Sequence, residues 1–220
     1  MEISEQYAVQ MHNITKTFGT FCALDNINLN VKKGTIHALL GENGAGKSTL
    51  MNILYGLYKA DKGEVYLNGK KVNIKNPSVA IEHGIGMVHQ HFMLVDNFTV
   101  TENIVLGSEI TSKFGITTMK QASQEILNIV KKYGLEVDPD AKIEDMSIGM
   151  QQRVEIMKAL YRGADLLILD EPTAVLTPQE IQDLIKIMRN LIAAGKTIII
   201  ITHKLKEIKE SSDVCTIIRR

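Results

Sequence analysis

At 220 residues the chain is one large domain, or a core carrying a smaller subdomain, since domains run to about 150 residues. A composition of 45% hydrophobic and 23% charged residues is that of an ordinary globular chain and excludes intrinsic disorder. Twenty-five basic residues balance twenty-five acidic ones, so no bulk field recruits anionic lipid or nucleic acid, and no nucleic-acid partner is expected. Cys22 and Cys215 lie at opposite ends of the chain without metal-ligand spacing. The opening MEISEQYAVQ has neither a basic start nor an apolar run, so the expectation is a reduced, cytosolic chain without a signal peptide. The most apolar stretch, residues 197–201, is far short of the ~20 residues that cross a bilayer, and other chains would supply any membrane part.

Short apolar runs between turns predict strands at residues 7–11, 27–31, 35–40, 64–67 and 70–74. Asn68-Gly69 between the last two favours the type I′ turn of a two-residue hairpin. A helix is expected to begin at Ser48 and run to Tyr58. From about Val100 the apolar spacing becomes helical, as in Ala122, Ile126, Ile129 and Val130, and again over residues 149–161. Two continuous apolar runs, 166–169 and 197–201, flank a helix over 178–194 and read as strands buried on both faces of a parallel sheet. The expected fold is an α/β core with a mostly parallel sheet, an N-terminal antiparallel β portion and a helical insert of about 70 residues.

Residues 41–49, GENGAGKST, fit the phosphate-loop pattern G-x-x-x-x-G-K-[ST] at every fixed position. The strand before and the helix after it bring backbone N–H groups and a positive helix end to one point, where a phosphate would sit. Gly41, Asn43, Gly44, Ala45 and Gly46 form the curl, Lys47 would reach the outer phosphate oxygens, and Ser48 and Thr49 open the helix, with the Ser48 hydroxyl suited to Mg²⁺. Further along, the apolar run 166–169 ends in Asp170-Glu171, and in open α/β sheets that strand end faces the ligand crevice. Asp170 would complete a Mg²⁺ shell and Glu171 would polarise an attacking water. His203 follows the run 198–201 and could donate to a γ-phosphate, or be a helix-start or turn residue; Gln90, after 85–88, is equally open in isolation. Phe18 could stack on a base or belong to the core. The apolar residues of 92–95, with Phe98 and Val100, could meet a membrane subunit or fill the insert core.

Residues 146–154, MSIGMQQRV, precede the acidic strand at the start of a helix, and here the chain resembles the ATP-binding-cassette (ABC) ATPase family, whose signature reads Leu-Ser-Gly-Gly-Gln. The resemblance spans essentially the whole chain in the family's motif order. It implies one cassette domain over 1–220, with a nucleotide-binding core at 1–90 and 163–220 and a helical subdomain at 91–162. It further implies ATP with Mg²⁺, Phe18 as the adenine-stacking aromatic, and Gln90 as a sensor of Mg²⁺ and of the membrane partner. Ser147 and Gly149 belong to the signature, Asp170 to the metal site, Glu171 to catalysis and His203 to γ-phosphate sensing. Stretches 76–107 and 146–180 look like the simple-sugar and nucleoside importer branch. That branch implies transmembrane permease subunits, an extracytoplasmic substrate-binding protein, and a peripheral place on the cytoplasmic face of the membrane. It also implies a second ATPase half, this chain being the N-terminal cassette of a tandem. Met146, Ile148 and Met150 depart from the signature, and Thr177 and Ala174 replace the Asp and Ser of many cassettes. The alternative is an ABC-type ATPase acting on DNA or chromosome structure. Such proteins carry long heptad coiled coils between the glutamine and the signature, and residues 90–147 show no sustained heptad.

Overall fold

The computed structural model describes residues 3–107 and 119–219. The chain opens with β1 (Tyr7–Phe18), β2 (Phe21–Lys32), β3 (Ile36–Leu40), α1 (Lys47–Leu54), β4 (Lys62–Leu67) and β5 (Lys70–Val72). It continues through α2 (Pro77–Glu82), β6 (Ile85–Val88), α3 (Val100–Val105), α4 (Met119–Tyr133) and α5 (Ile148–Tyr161). It ends with β7 (Leu166–Asp170), α6 (Pro178–Ala193), β8 (Thr197–Thr202), α7 (Leu205–Ser211) and β9 (Val214–Ile217). Strands β2-β1-β4-β5 make an antiparallel sheet, and β6-β7-β8-β3-β9 a parallel one.

The first two strands are longer than their apolar runs predict, forming a single hairpin that turns at Gly19-Thr20 and pairs Phe18 with Phe21. Asn13 and Asn26 adopt positive φ (52° and 53°), and the register shifts between Met11 and Ile14. These irregularities break the alternation that strand reading depends on. Asn68 (φ 51°) and Gly69 (φ 78°) form the expected tight turn, with Leu67 opposite Lys70, although β5 stops at Val72. The helix expected to reach Tyr58 ends instead at Leu54. Gly56 takes φ 82° just past the Tyr55 cap, and the Leu57 N–H returns to the Asn52 carbonyl at 2.8 Å, which closes the last turn.

Strands β3, β6, β7 and β8 are buried on both faces, as continuous apolar runs require, while β9 at the sheet edge is largely exposed. Ile198 and Ile200 face one core with Val88, Leu167, Leu169 and the helical residues Ile104, Ile126, Val154, Ile187 and Leu191. Ile199 and Ile201 face the other, with α1 and the antiparallel sheet. The helices α3, α4 and α5 therefore share a core with the sheet; of the segment 91–162, residues 108–118 lie outside the described residues. Helices α2 and α7, which sequence reading missed, are six and seven residues long, too short for a periodic signal.

Buried in β3 is His37, 1% exposed, with Nε2 against Thr216 Oγ1 at 2.8 Å. Desolvation lowers its pKa from 6.5 to about 4. The unfolded chain takes up this proton first as pH falls, so the stabilisation is complete above 6.5 and is lost between there and about 4. Denaturant unfolding should show a stability about 2 kcal/mol lower at pH 5 than at pH 7 from this group alone. His37→Gln should flatten that slope; an identical slope in the variant would place the effect elsewhere.

Candidate nucleotide site

Parallel pairing sets the site. Val88 lies opposite Leu169, Asp170 opposite Ile201, and Leu40 opposite Thr202, so the strand ends of β6, β7, β8 and β3 open on one edge. That edge brings together the phosphate loop, Asp170-Glu171 and His203, which are far apart in sequence.

In the loop, Gly44 and Gly46 have φ of 80° and 98°, and Gly46 is the N-cap of α1 with no side-chain hydrogen bond to its free N–H groups. Asn76, Thr99, Ser147 and Thr177 do supply such bonds at α2, α3, α5 and α6. The N–H groups of α1 thus remain available to an anion. The Lys47 ammonium, on a side chain only 6% exposed, folds back over the loop and donates to the carbonyls of Gly41 (2.8 Å) and Glu42 (3.0 Å). Two glycines answer to packing. A Cβ on Gly41 would lie 2.6 Å from the Ile218 carbonyl oxygen, and one on Gly46 would lie 2.7 Å from that of Ala23 and 2.6 Å from Leu24. Ala45 is buried beneath the curl, Asn43 and Ser48 are exposed, and Thr49 is half-buried.

Gly46 thus presses on β2 at Leu24, whose ladder partner is Lys16, two residues before Phe18. Phe18 is 42% exposed, meets Tyr58 edge-on at 5.3 Å, and has the Lys16 ammonium 5.4 Å from its ring centre. It is no core residue: this exposed ring lies on the same hairpin that Gly46 touches at Leu24.

Burial raises the Asp170 pKa, as does the charge of Glu171; His89 and Lys47 oppose this. Glu171 sits at φ 49°, rare for a residue with a side chain, and its N–H extends the ladder to the Ile201 carbonyl at 3.0 Å. Its Oε1 is 2.9 Å from His203 Nδ1. Gln90 lies two residues beyond β6, exposed, and among the described residues hydrogen-bonds neither carboxylate; its neighbour His89 is the one whose charge reaches Asp170. Ser147 caps α5 as expected, accepting from Met150 N at 3.3 Å, while buried Gly149 follows it. Neither bonds to the phosphate loop or acidic pair; both bond Glu180.

Three supporting residues escaped the sequence. Gln152, 2% exposed, donates to the Pro172 carbonyl at 2.7 Å, one residue past Glu171. Glu207 accepts from Thr173 Oγ1 (2.5 Å) and Thr202 Oγ1 (3.3 Å), tying the loop after β7 to the end of β8. Glu180 forms a capping box with Thr177, and only this one had a local signal, the Thr-Pro-Gln-Glu of residues 177–180.

The divalent cation fits the chemistry of the donors. Asp170 and Ser48 offer hard oxygens, and a cation beside Asp170 would offset the desolvation that now raises its pKa. Among the described residues no group of three or more His, Cys, Asp or Glu could hold a metal, so such an ion would draw its other ligands from phosphate and water.

Residues 24–174 match the family model described as "ABC transporter". The chain is 61% identical over 218 residues to the nucleoside import ATP-binding protein NupA of Lactococcus lactis subsp. cremoris (strain MG1363), covering 99% of this chain and 43% of that protein. It is 61% identical over 215 residues to the guanosine import ATP-binding protein NupO of Bacillus subtilis (strain 168), covering 98% and 42%. It thus spans less than half the length of these relatives. Among solved structures it is similar to the ADP conformation of MJ1267, an ATP-binding cassette of an ABC transporter, with TM-score 0.85, 30% identity and coverage of 96% and 87%. A post-hydrolysis dimer of the cassette MJ0796 bound to ADP and Pi gives TM-score 0.79 and 29% identity, with coverage of 96% and 94%. With the glycine-rich loop 41–49 under one parallel-sheet edge, an acidic pair at the same edge and a helical segment ending in α5, the chain belongs to the ABC transporter family as an ATP-binding cassette.

Proposed function

We propose that this cassette binds and hydrolyses Mg-ATP to power import of a nucleoside or simple sugar, working on the cytoplasmic face of a membrane as the N-terminal half of a tandem chain. One observation carries the hydrolytic reading: the uncapped start of α1 with Lys47, the desolvated Asp170 and the Glu171–His203 pair share one sheet edge. The names of NupA and NupO support the substrate class, and the 42–43% coverage of their length supports the tandem.

The chain's own groups divide the work. Backbone N–H groups of α1 and the Lys47 ammonium hold the outer phosphates, and Phe18 takes the adenine on its face. Asp170 and Ser48 would hold Mg²⁺, which when bound shields phosphate charge. Glu171 accepts a proton from the attacking water, and His203, bonded to its Oε1, fixes the carboxylate's aim. Ser147 and Gly149 would serve the nucleotide held by the second cassette, since α5 points its positive end outward there.

No described helix is long and apolar enough to cross a membrane. A permease subunit, in this reading, seats in a groove of about 280 Å³ lined by Tyr55, Leu57, Ile81, Met87, His89 and Met93. Met93 is 68% exposed at the groove, whereas Val100 is fully buried, so the expected contact segment divides between surface and core. The groove adjoins the β6 end that carries His89 and Gln90, which would link docking to the phosphate site. The substrate-binding protein would act from the opposite side of the membrane.

Reconstitution of the full-length chain with its membrane subunits tests this. ATP hydrolysis should rise when nucleoside-loaded binding protein is supplied and stay unchanged with added DNA. Stimulation by DNA alone would favour the chromosome-type reading. Against that reading, the described part of the segment between Gln90 and Ser147 holds only α3 and α4, of six and fifteen residues, besides one short 3-10 turn.

A further inference from the structure

Two helix N-termini converge on the carboxylate of Glu180. Its Oε2 accepts from the Thr177 N–H (3.0 Å) and hydroxyl (2.9 Å) at the start of α6. Its Oε1 accepts from the Ser147 hydroxyl (3.1 Å) and the Gly149 N–H (3.2 Å) at the start of α5. A Cβ on Gly149 would lie 2.6 Å from that same Oε1, so the missing side chain makes room for this carboxylate. Four donors and two positive helix ends hold the group ionised, and its pKa lies below the usual carboxylate value, chiefly through the Thr177 N–H.

Ser147 Oγ and Gly149 N are among the groups that α5 can offer an incoming anion. We propose that Glu180 is a built-in competitor for the phosphate of the second cassette, holding the signature donors until that phosphate displaces it. The inference rests on the reading that this signature meets a nucleotide in trans. A γ-phosphate approaching α5 meets a carboxylate already seated there, and must both repel it and take over its two hydrogen bonds. The occupied state therefore lowers the affinity for the second nucleotide in proportion to its population. On release, Glu180 keeps its Thr177 partners, so α6 remains capped while α5 is freed. Glu180 is thus a positioning residue: it touches no substrate, and acts through Ser147 and Gly149.

The test uses the full-length chain assembled with its membrane subunits in lipid nanodiscs. ATPase rate is followed against Mg-ATP for wild type, Glu180→Gln, Glu180→Ala and Ser147→Arg, with a melting curve for each. Removing the charge should lower KM for ATP about fivefold in both Glu180 variants without lowering kcat, even though the alanine melts lower for lack of a cap. A residue that only caps α6 would lower the melting temperature and leave KM unchanged, and that result in both variants overturns the proposal. Ser147→Arg separates the two levels of inference. It should cut turnover by about half or more, because it blocks one of two composite sites. Unchanged turnover there would overturn the in-trans reading and the competitor with it; loss there with unmoved KM at Glu180 overturns the competitor alone.

Discussion

Lys47→Ala should weaken Mg-ATP binding by about 30-fold to 1,000-fold, the equivalent of about 2–4 kcal/mol for a charge-assisted contact to phosphate. The ammonium already lies over the loop, donating to the Gly41 and Glu42 carbonyls. Nucleotide binding exchanges those neutral partners for charged phosphate oxygens, and alanine has nothing to exchange. Phe18→Ala, which removes a stacking face 42% exposed to solvent, should cost only about 1 kcal/mol, or about fivefold. Calorimetric titration of both variants measures the two losses. Equal affinities for wild type and Lys47→Ala would remove the loop from nucleotide binding altogether.

Glu171→Gln should lower kcat of the assembled transporter by about 100-fold or more while leaving KM for ATP within about twofold. The amide keeps the side-chain shape and a hydrogen bond to His203, now 2.9 Å from Oε1, but cannot take the proton of the attacking water. His203→Ala should fall between wild type and Glu171→Gln, because it leaves the base in place and loosens only its aim. Steady-state kinetics of the three proteins decides the order. Full turnover in Glu171→Gln would pass the base role to another group, with His203 the first to examine.

Much of this was legible in one dimension. The phosphate loop is a contiguous run of nine residues whose chemistry depends on backbone curl and a following helix, both of them local. Asp170-Glu171 ends an unbroken apolar strand, and Ser147 precedes its helix as an N-cap should; each is a statement about neighbours in sequence. Where reading failed, local rules had been broken by non-local packing. The strands expected at 7–11 and 27–31 fall short of β1 and β2 because Asn13 and Asn26 interrupt the alternation, while pairing between the two strands carries them through to Phe18 and Phe21.

The sequence alone therefore carried the α/β architecture, in its periodicity, and the contiguous motifs on which the resemblance to the family and the proposed phosphate contacts rest. Only the tertiary structure decided what each group is held by. It paired His203 with Glu171 across the β7–β8 edge, set Gln152 under Pro172, and joined the loop after β7 to the end of β8 through Glu207. It also gave Gly41 a reason in Ile218 and Gly149 a reason in Glu180, contacts between residues more than 30 positions apart. Hydrogen bonds and close approaches of that kind depend on where strands and helices finish in space, and no periodicity in the chain encodes them.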